Sequence, residues 1–178
     1  MSLTNNIFFI LILVVLSYSV YPVAGEVTTL SIATDNTWKT LDFENDGWTS
    51  NNYDDSWWKS AEESTWSIES GKGIWYPGEL APKVAYFRNT FEIGGTQILN
   101  GKLHVKTYNS DGVAYLYIND NPIEKINYET GADGIDITSY LKPGKNVIAA
   151  KVSAPGYSSW ALVGTIRYDK SASGQPIT

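Results

Sequence analysis

The chain lacks cysteine entirely and has a single histidine, His104, among 178 residues. Without cysteine there is no disulfide framework and no thiol chemistry. A zinc site has too few histidine and cysteine ligands. A Ser-His-Asp triad would have to use His104, which lies within a predicted strand with no nucleophile elbow near it. We therefore expect neither zinc chemistry nor triad hydrolysis.

Paired carboxylates suited to glycoside cleavage are also missing from the sequence pattern. A glycosidase needs two carboxylates that face each other across a substrate, about 5–10 Å apart. The adjacent acids Asp54–Asp55 and Glu62–Glu63 point away from each other as chain neighbours. A pair assembled from distant loops stays open, but no motif indicates one. We expect the protein not to be an enzyme.

Basic residues are fewer than acidic ones, 13 against 19, and the net charge is −6. A chain of this charge repels phosphate backbones, so we expect no nucleic-acid partner.

Long hydrophobic runs are absent except near the N-terminus, at Ile7–Leu16. This run is shorter than the ~20 residues of a spanning helix. It is followed by a polar stretch that ends in small residues, Ala24-Gly25, which predicts a secretory signal peptide over residues 1–25. No lysine or arginine precedes the run, so an uncleaved anchor, with membrane contact, stays an alternative. The expected location is secreted, extracellular or at the cell surface.

The rest of the chain alternates apolar and polar residues with a period of two. In residues 84–93, Ala85 and Phe87 lie on one face, whereas Tyr86 and Arg88 lie on the other. Similar runs separated by Gly, Pro or Asn predict an all-β fold, an antiparallel β-sandwich or jelly roll. The predicted strands are 27–33, 38–43, 84–93, 101–109, 112–120, 122–128, 134–141, 146–153 and 159–168. One helical turn is expected at 54–60, the domain at 26–170, and a flexible tail at 171–178.

Aromatic residues concentrate in the first third of this domain, because six of the seven tryptophans lie between residues 38 and 75. Exposed rings stack on the C–H faces of sugars, while polar neighbours bond the hydroxyl groups. The candidate carbohydrate-binding residues are those in predicted loops: Trp66, Trp75, Tyr76 and Tyr157. Trp75 and Tyr76 are the leading pair, because Pro77-Gly78 favours a stiff exposed turn. The alternative is that these rings are buried at the ends of the sandwich.

Several segments in order resemble one family. These are TWKTLDFENDGWTSNNYDDSWWKSA, YFRNTFEI, LHVKTYNSDGVAYLYINDNPI and DITSYLKPGKNVIAAKV. Together, over residues 35–168, they resemble the galactose-binding-domain-like β-sandwich. Such domains occur as non-catalytic modules of β-galactosidase-like and α-L-rhamnosidase-like enzymes, and as carbohydrate-binding modules and lectins. Others bind lipids or proteins, or serve as packing modules, so the fold alone does not decide function.

The resemblance also implies roles for single residues. Asp55 and Trp58 match the second Asp and the Trp of the family's D-D-S-x-W segment, which implies structural roles. We expect Asp54 or Asp55 to cap the helical turn, Trp58 to close one end of the sandwich, and Trp57 to be the more exposed ring. Family members often hold a structural calcium ion bound by oxygen ligands. The candidate ligands here are Asp35, Asn36, Asp42, Glu44 and Asp46, although their spacing matches no calcium motif and solvated loop residues are the alternative.

Two functions fit these observations. The first is an exported, non-catalytic, lectin-like domain whose partner is a carbohydrate or glycoconjugate. The second is a structural or adhesive subunit of a surface layer or extracellular filament, which would self-assemble.

Overall fold

A computed structural model describes residues 26–78, 82–108, 111–127, 132–153 and 159–170. The predicted signal peptide and tail lie outside these residues. Twelve strands form in the described part of the chain: β1 (Glu26–Ala33), β2 (Lys39–Leu41), β3 (Lys59–Ser60), β4 (Glu62–Ile68), β5 (Gly71–Trp75), β6 (Val84–Ile93), β7 (Gln97–Thr107), β8 (Val113–Ile118), β9 (Asn121–Asn127), β10 (Ala132–Asp136), β11 (Gly144–Ser153) and β12 (Trp160–Lys170). A short 3₁₀ helix covers Thr138–Tyr140. Within the described ranges, no helix is long and apolar enough to cross a membrane.

The strands form two antiparallel six-stranded sheets. Sheet A has the order β10-β7-β12-β5-β4, with β1 also paired to β12; sheet B has the order β3-β2-β6-β11-β8-β9. The longest ladders run through the middle of each sheet, β7 with β12 and β6 with β11. The predicted all-β antiparallel sandwich is confirmed.

The main core lies between the two sheets, where the inward residues of the alternating strands meet. Sheet B contributes Phe87, sheet A contributes Trp160, and Trp38 follows β1; all three rings are fully buried. The ring of Trp160 lies 5.3 Å from that of Trp38 and 5.4 Å from that of Phe87, between centroids. Three large aromatic residues thus join the sheets at one point.

A second buried cluster covers the outer face of sheet B. Its members come from β2, β6 and β11 and from the long segment between β2 and β3: Leu41, Trp48, Trp58, Tyr86, Val147 and Ala149. Trp58 therefore packs on the outside of a sheet, and the expectation that it closes an end of the sandwich is wrong. The cause is the pleat, which turns the residues next to Phe87 and Ile148 away from the main core.

The expected helical turn at 54–60 is replaced by a β-turn and strand β3. The Trp58 backbone N–H donates to the Asp55 carbonyl at 3.0 Å, and the pairing of β3 with β2 begins at the next residue. The Asp54 carboxylate accepts the Ser56 N–H at 3.0 Å, so an aspartate does stabilise the turn, but not as a helix cap.

The segment 62–75, predicted as loop, is a β-hairpin made of β4 and β5. Only one residue of β4, Ile68, is buried, so this strand has almost no apolar alternation. Its turn holds Glu69 at a φ of 46°. Trp66 and Trp75 are consequently strand residues.

Candidate functional site

Two exposed aromatic rings face each other at the edge of sheet B. Phe43 follows β2 and Trp57 precedes β3, and the pairing of these strands brings the two residues close together. Their ring centroids are 6.2 Å apart and their planes differ by 29°. Each residue is 52% exposed. The neighbouring Trp58 explains this orientation, because its burial in the second cluster leaves Trp57 on the solvent side.

Lys59 follows Trp57 by two residues in the chain, and its side chain is joined to that of Tyr76. The Lys59 ammonium donates to the Tyr76 hydroxyl at 2.6 Å and lies 4.5 Å from the centre of the same ring. The hydrogen bond to Tyr76 raises the pKa of Lys59, and the charge of Asp42 adds to this effect. Lys59 is therefore a permanent cation at neutral pH. We call Phe43, Trp57, Lys59 and Tyr76 the Trp57 surface.

The carboxylate of Glu62 holds the segment that follows Tyr76. Its Oε2 accepts the Gly78 N–H at 3.2 Å, and Gly78 has a φ of 108°, which favours glycine. Tyr76 itself is half-buried and packs against the main core. The Glu62 hydrogen bond to Gly78 and the packing of Tyr76 against the core thus fix the position of the Tyr76 hydroxyl.

The three predicted sugar-binding residues that the structure describes, Trp66, Trp75 and Tyr76, do not form one exposed group. Trp75 is only 7% exposed, because β5 turns its ring into the core, 5.8 Å from that of Phe87. The expectation that Trp75 is exposed is therefore wrong. Trp66 is half-buried on the outer face of sheet A, with its ring 5.5 Å from that of Tyr108. Tyr157 lies outside the described residues.

Asp55 and Trp58 both sit in buried surroundings. Asp55 Oδ2 accepts from Arg88 Nε at 2.8 Å, and the Arg88 side chain is fully buried. Trp58 is 3% exposed and its ring is stacked 6.5 Å from that of Trp48. The expected contrast with the exposed Trp57 is observed.

Two of the five candidate calcium ligands, Asp35 and Glu44, are engaged in other contacts. The Asp35 carboxylate accepts the Thr37 N–H at 2.9 Å. Glu44 accepts from Lys151 at 2.8 Å and from Tyr86 at 3.2 Å, and the hydrogen bond to Lys151 is the main reason why the pKa of Glu44 is lowered. Among the described residues, no three acidic, histidine or cysteine side chains form a group suited to a metal ion.

Sequence reasoning missed Phe43, Lys59 and the burial of Arg88. Phe43 has no apolar periodicity around it, so its exposed position follows only from the pairing of β2 with β3. For Arg88 a signal existed: it follows Tyr86 on the supposedly polar face of a strand, downstream of a segment with two aspartates. A buried arginine requires an acidic partner.

Comparison with known proteins places this architecture among the domains of large glycosidases. The chain is 28% identical, over 144 residues, to an α-L-rhamnosidase of Streptomyces avermitilis. This match covers 71% of this chain and 13% of that protein. A glycosyl hydrolase family 2 member from Bacteroides cellulosilyticus superposes with a TM-score of 0.52 and 21% identity, over 76% of this chain and 20% of that one. A calcium-binding mutant of β-glucuronidase 2 from Bacteroides uniformis superposes with a TM-score of 0.51 and 20% identity, over 78% of this chain and 18% of that one. No protein-family model matches the chain.

The chain has the galactose-binding-domain-like β-sandwich fold, as its sequence motifs imply. It spans a fifth or less of the length of the glycosidases that it resembles. It corresponds to one β-sandwich portion of such proteins.

Proposed function

We propose that this protein is an exported, non-catalytic carbohydrate-binding domain that acts at or outside the cell surface. The observation that supports it best is the stacked, half-exposed pair Phe43 and Trp57. Each large ring can contribute about 150–250 Å² of contact area when a ligand covers it. The other described tryptophans of this chain are buried or half-buried.

The polar groups beside the rings suit sugar hydroxyl groups. Lys59 supplies N–H donors, the Tyr76 hydroxyl both donates and accepts, and the nearby Asp42 supplies acceptors. An apolar platform with a few polar groups at one side is the usual composition of a sugar-binding site. Resemblance to a portion of glycosidases favours the same class of ligand. The N-terminal 25 residues favour export.

The test is binding by calorimetry, after a glycan array, with galactosides, rhamnosides and β-glucans. Trp57→Ala should weaken binding about tenfold or more, because a ring contact is worth about 1 kcal/mol beyond its area and 1.4 kcal/mol is tenfold. The matched control is Tyr115→Ala, which removes an exposed ring that also has a lysine above it, Lys125 at 5.6 Å. Failure of the protein to bind any of these ligands at millimolar concentration would overturn the proposal.

The same exposed rings favour one competing function, a structural or adhesive subunit. Exposed aromatic residues are also typical anchors of protein interfaces. If the Trp57 surface joins copies of the chain, sedimentation will show large assemblies that Trp57→Ala dissolves. A monomer that binds sugar would reject this alternative.

A further inference from the structure

A polar cavity of about 260 Å³ borders the outer face of sheet B. Its wall consists of residues from the start of β2, the middle of β6 and the turn before β3: Thr37, Lys39, Asp55, Arg88, Asn89 and Thr90. Sites for drug-sized ligands have volumes of about 300–1,000 Å³. This cavity is smaller, and a single sugar unit is the appropriate size of ligand.

The wall includes a buried arginine with an unused donor. Arg88 Nε donates to Asp55, and Nη1 donates to the carbonyl oxygens of Trp48 and Ser50. Nη2 is buried and has no hydrogen-bond partner among the described residues. A buried N–H without a partner is uncommon and unfavourable. Arg88 is one of the residues that line the cavity, so a ligand oxygen there would satisfy this donor once the side chain turns it toward the cavity.

The neighbouring groups determine which ligand fits. Lys39 pairs with Arg88 across the β2–β6 ladder and brings a second positive charge. Asp55 uses Oδ2 for Arg88, which leaves Oδ1 as an acceptor. The Asn89 amide donates to Thr37 at 3.4 Å, and Thr37 in turn donates to Asp35. Donors and acceptors therefore lie side by side.

A charged ligand fits this wall poorly. An anion would approach the carboxylate of Asp55, and a cation would approach Arg88 and Lys39. A hydroxyl group both donates and accepts, so two adjacent hydroxyl groups can accept from the cations and donate to Asp55. Neutral sugars present such pairs.

We infer that this cavity binds a vicinal diol of a neutral pyranose. The inference rests on the proposed function and extends it. The cavity and the Trp57 surface border the same turn, which the hydrogen bond from Trp58 N–H to the Asp55 carbonyl closes at 3.0 Å. One sugar unit of a chain would occupy the cavity while another stacks on Trp57.

The test uses ¹H–¹⁵N NMR on the folded protein, because the cavity and the platform give separate signals. The reporters are the Arg88 Nε–H and the Asn89 side-chain amide for the cavity, and the indole N–H of Trp57 for the platform. The probes are methyl α-L-rhamnopyranoside, methyl β-D-galactopyranoside and inorganic phosphate at tens of millimolar. We expect at least one pyranoside to shift the Arg88 and Asn89 signals saturably, and phosphate to leave them unchanged.

Two variants locate the interaction. Lys39→Met keeps the length of the side chain but removes its charge and donors, and should weaken pyranoside binding at least threefold. Thr90→Val is nearly isosteric and should weaken it less. The control is Lys106→Met, which changes an exposed lysine on β7 of the opposite sheet and should have no effect.

The outcomes separate the two proposals. If pyranosides or glycans move only the Trp57 signal, the inference about the cavity is wrong and the proposed function stands. If phosphate moves the cavity signals and the pyranosides do not, the cavity is an anion site and the inference is wrong. If no sugar moves either set of signals, both proposals fail.

Discussion

Trp57 and Trp58 are chain neighbours with opposite environments: the first is 52% exposed and the second 3% exposed. Trp58 is held by stacking on Trp48 and by the Tyr53 hydroxyl, which accepts its indole N–H at 3.3 Å. Next to them, Asp54 is exposed and Asp55 faces the buried Arg88. Within this short acidic and aromatic stretch, Asp55 and Trp58 contact buried partners, whereas Trp57 is exposed and Asp54 accepts the Ser56 N–H of the turn.

This difference leads to a prediction about stability. Asp55→Ala leaves Arg88 as a buried charge without its carboxylate and should lower the free energy of unfolding by about 3–5 kcal/mol. Trp58→Ala should cost about as much by opening a cavity in the second cluster. The neighbouring changes Asp54→Ala and Trp57→Ala are the controls and should cost much less. Urea denaturation measures all four; a stable Trp58→Ala protein that had lost sugar binding would contradict the structural role.

The hairpin of β4 and β5 depends on close approach between strands. A Cβ atom at Gly71 would lie 2.5 Å from the Leu162 carbonyl oxygen, a backbone atom that cannot move aside without displacing β12. Gly71 is buried in the hairpin, whereas a Cβ atom at Gly94, after β6, would have nothing within 4 Å of it. The position of the hairpin on sheet A therefore requires glycine at residue 71.

We accordingly expect Gly71→Ala to lower the free energy of unfolding by about 1–3 kcal/mol, as other overpacked substitutions do. Gly94→Ala introduces the same methyl group into open space and should change it by less than about 0.5 kcal/mol. Thermal or urea denaturation of the two variants provides the comparison. Equal stability would show that the hairpin can shift away from β12.

One carboxylate, that of Asp136 at the end of β10, binds the first residue of the 3₁₀ helix. Asp136 Oδ1 accepts from the Thr138 N–H at 3.0 Å and from its hydroxyl at 2.7 Å, and Oδ2 accepts from Lys102 at 2.9 Å. The hydrogen bond from the Thr138 side chain, followed by the other two, holds the pKa of Asp136 well below its usual range.

A lowered pKa in the folded state means that the ionised form stabilises the fold. The contribution of Asp136 is complete above the ordinary aspartate pKa of about 3.9 and is lost as the pH falls through the lower folded pKa. Asp136→Asn should therefore reduce the urea midpoint near neutral pH and make progressively less difference below about pH 4. If Asp136→Asn lowered the urea midpoint equally near neutral pH and well below about pH 4, the charge of Asp136 would not be what stabilises this turn.

At the scale of the whole molecule, the two sheets share one core rather than two. Residues of both sheets belong to a single buried cluster, and within it Trp160 contacts both Trp38 and Phe87. Neither sheet can lose its partner without exposing these rings.

We therefore expect one cooperative unfolding transition. Far-UV circular dichroism, which follows the strands, and tryptophan fluorescence, which follows the packing of the rings, should give the same midpoint. A fluorescence change that precedes the loss of strands would mean that the second cluster, with Trp48 and Trp58, unfolds on its own.

Much of the fold was predictable from local pattern. Strand β6 has the predicted bounds of 84–93, and β1 and β11 differ from prediction by one or two residues. Their inward residues are strongly apolar and β-branched or aromatic, so alternation was clear. Strand β4 was missed because it is exposed along most of its length. The predicted strand at 134–141 ends early, at Asp136, because its carboxylate accepts the Thr138 N–H and closes a turn there.

The sequence by itself determined an all-β sandwich related to the galactose-binding domains, without disulfides and with a predicted export signal. Alternation and turn residues are local properties, which is why they could be read directly. Only the tertiary structure decided which rings are exposed. Trp75 is covered by Phe87 and Trp58 by Trp48, whereas Trp57 contacts Phe43 and the edge of Trp58 and stays half-exposed. Burial of a ring depends on partners that are distant in the chain, and no local pattern specifies them.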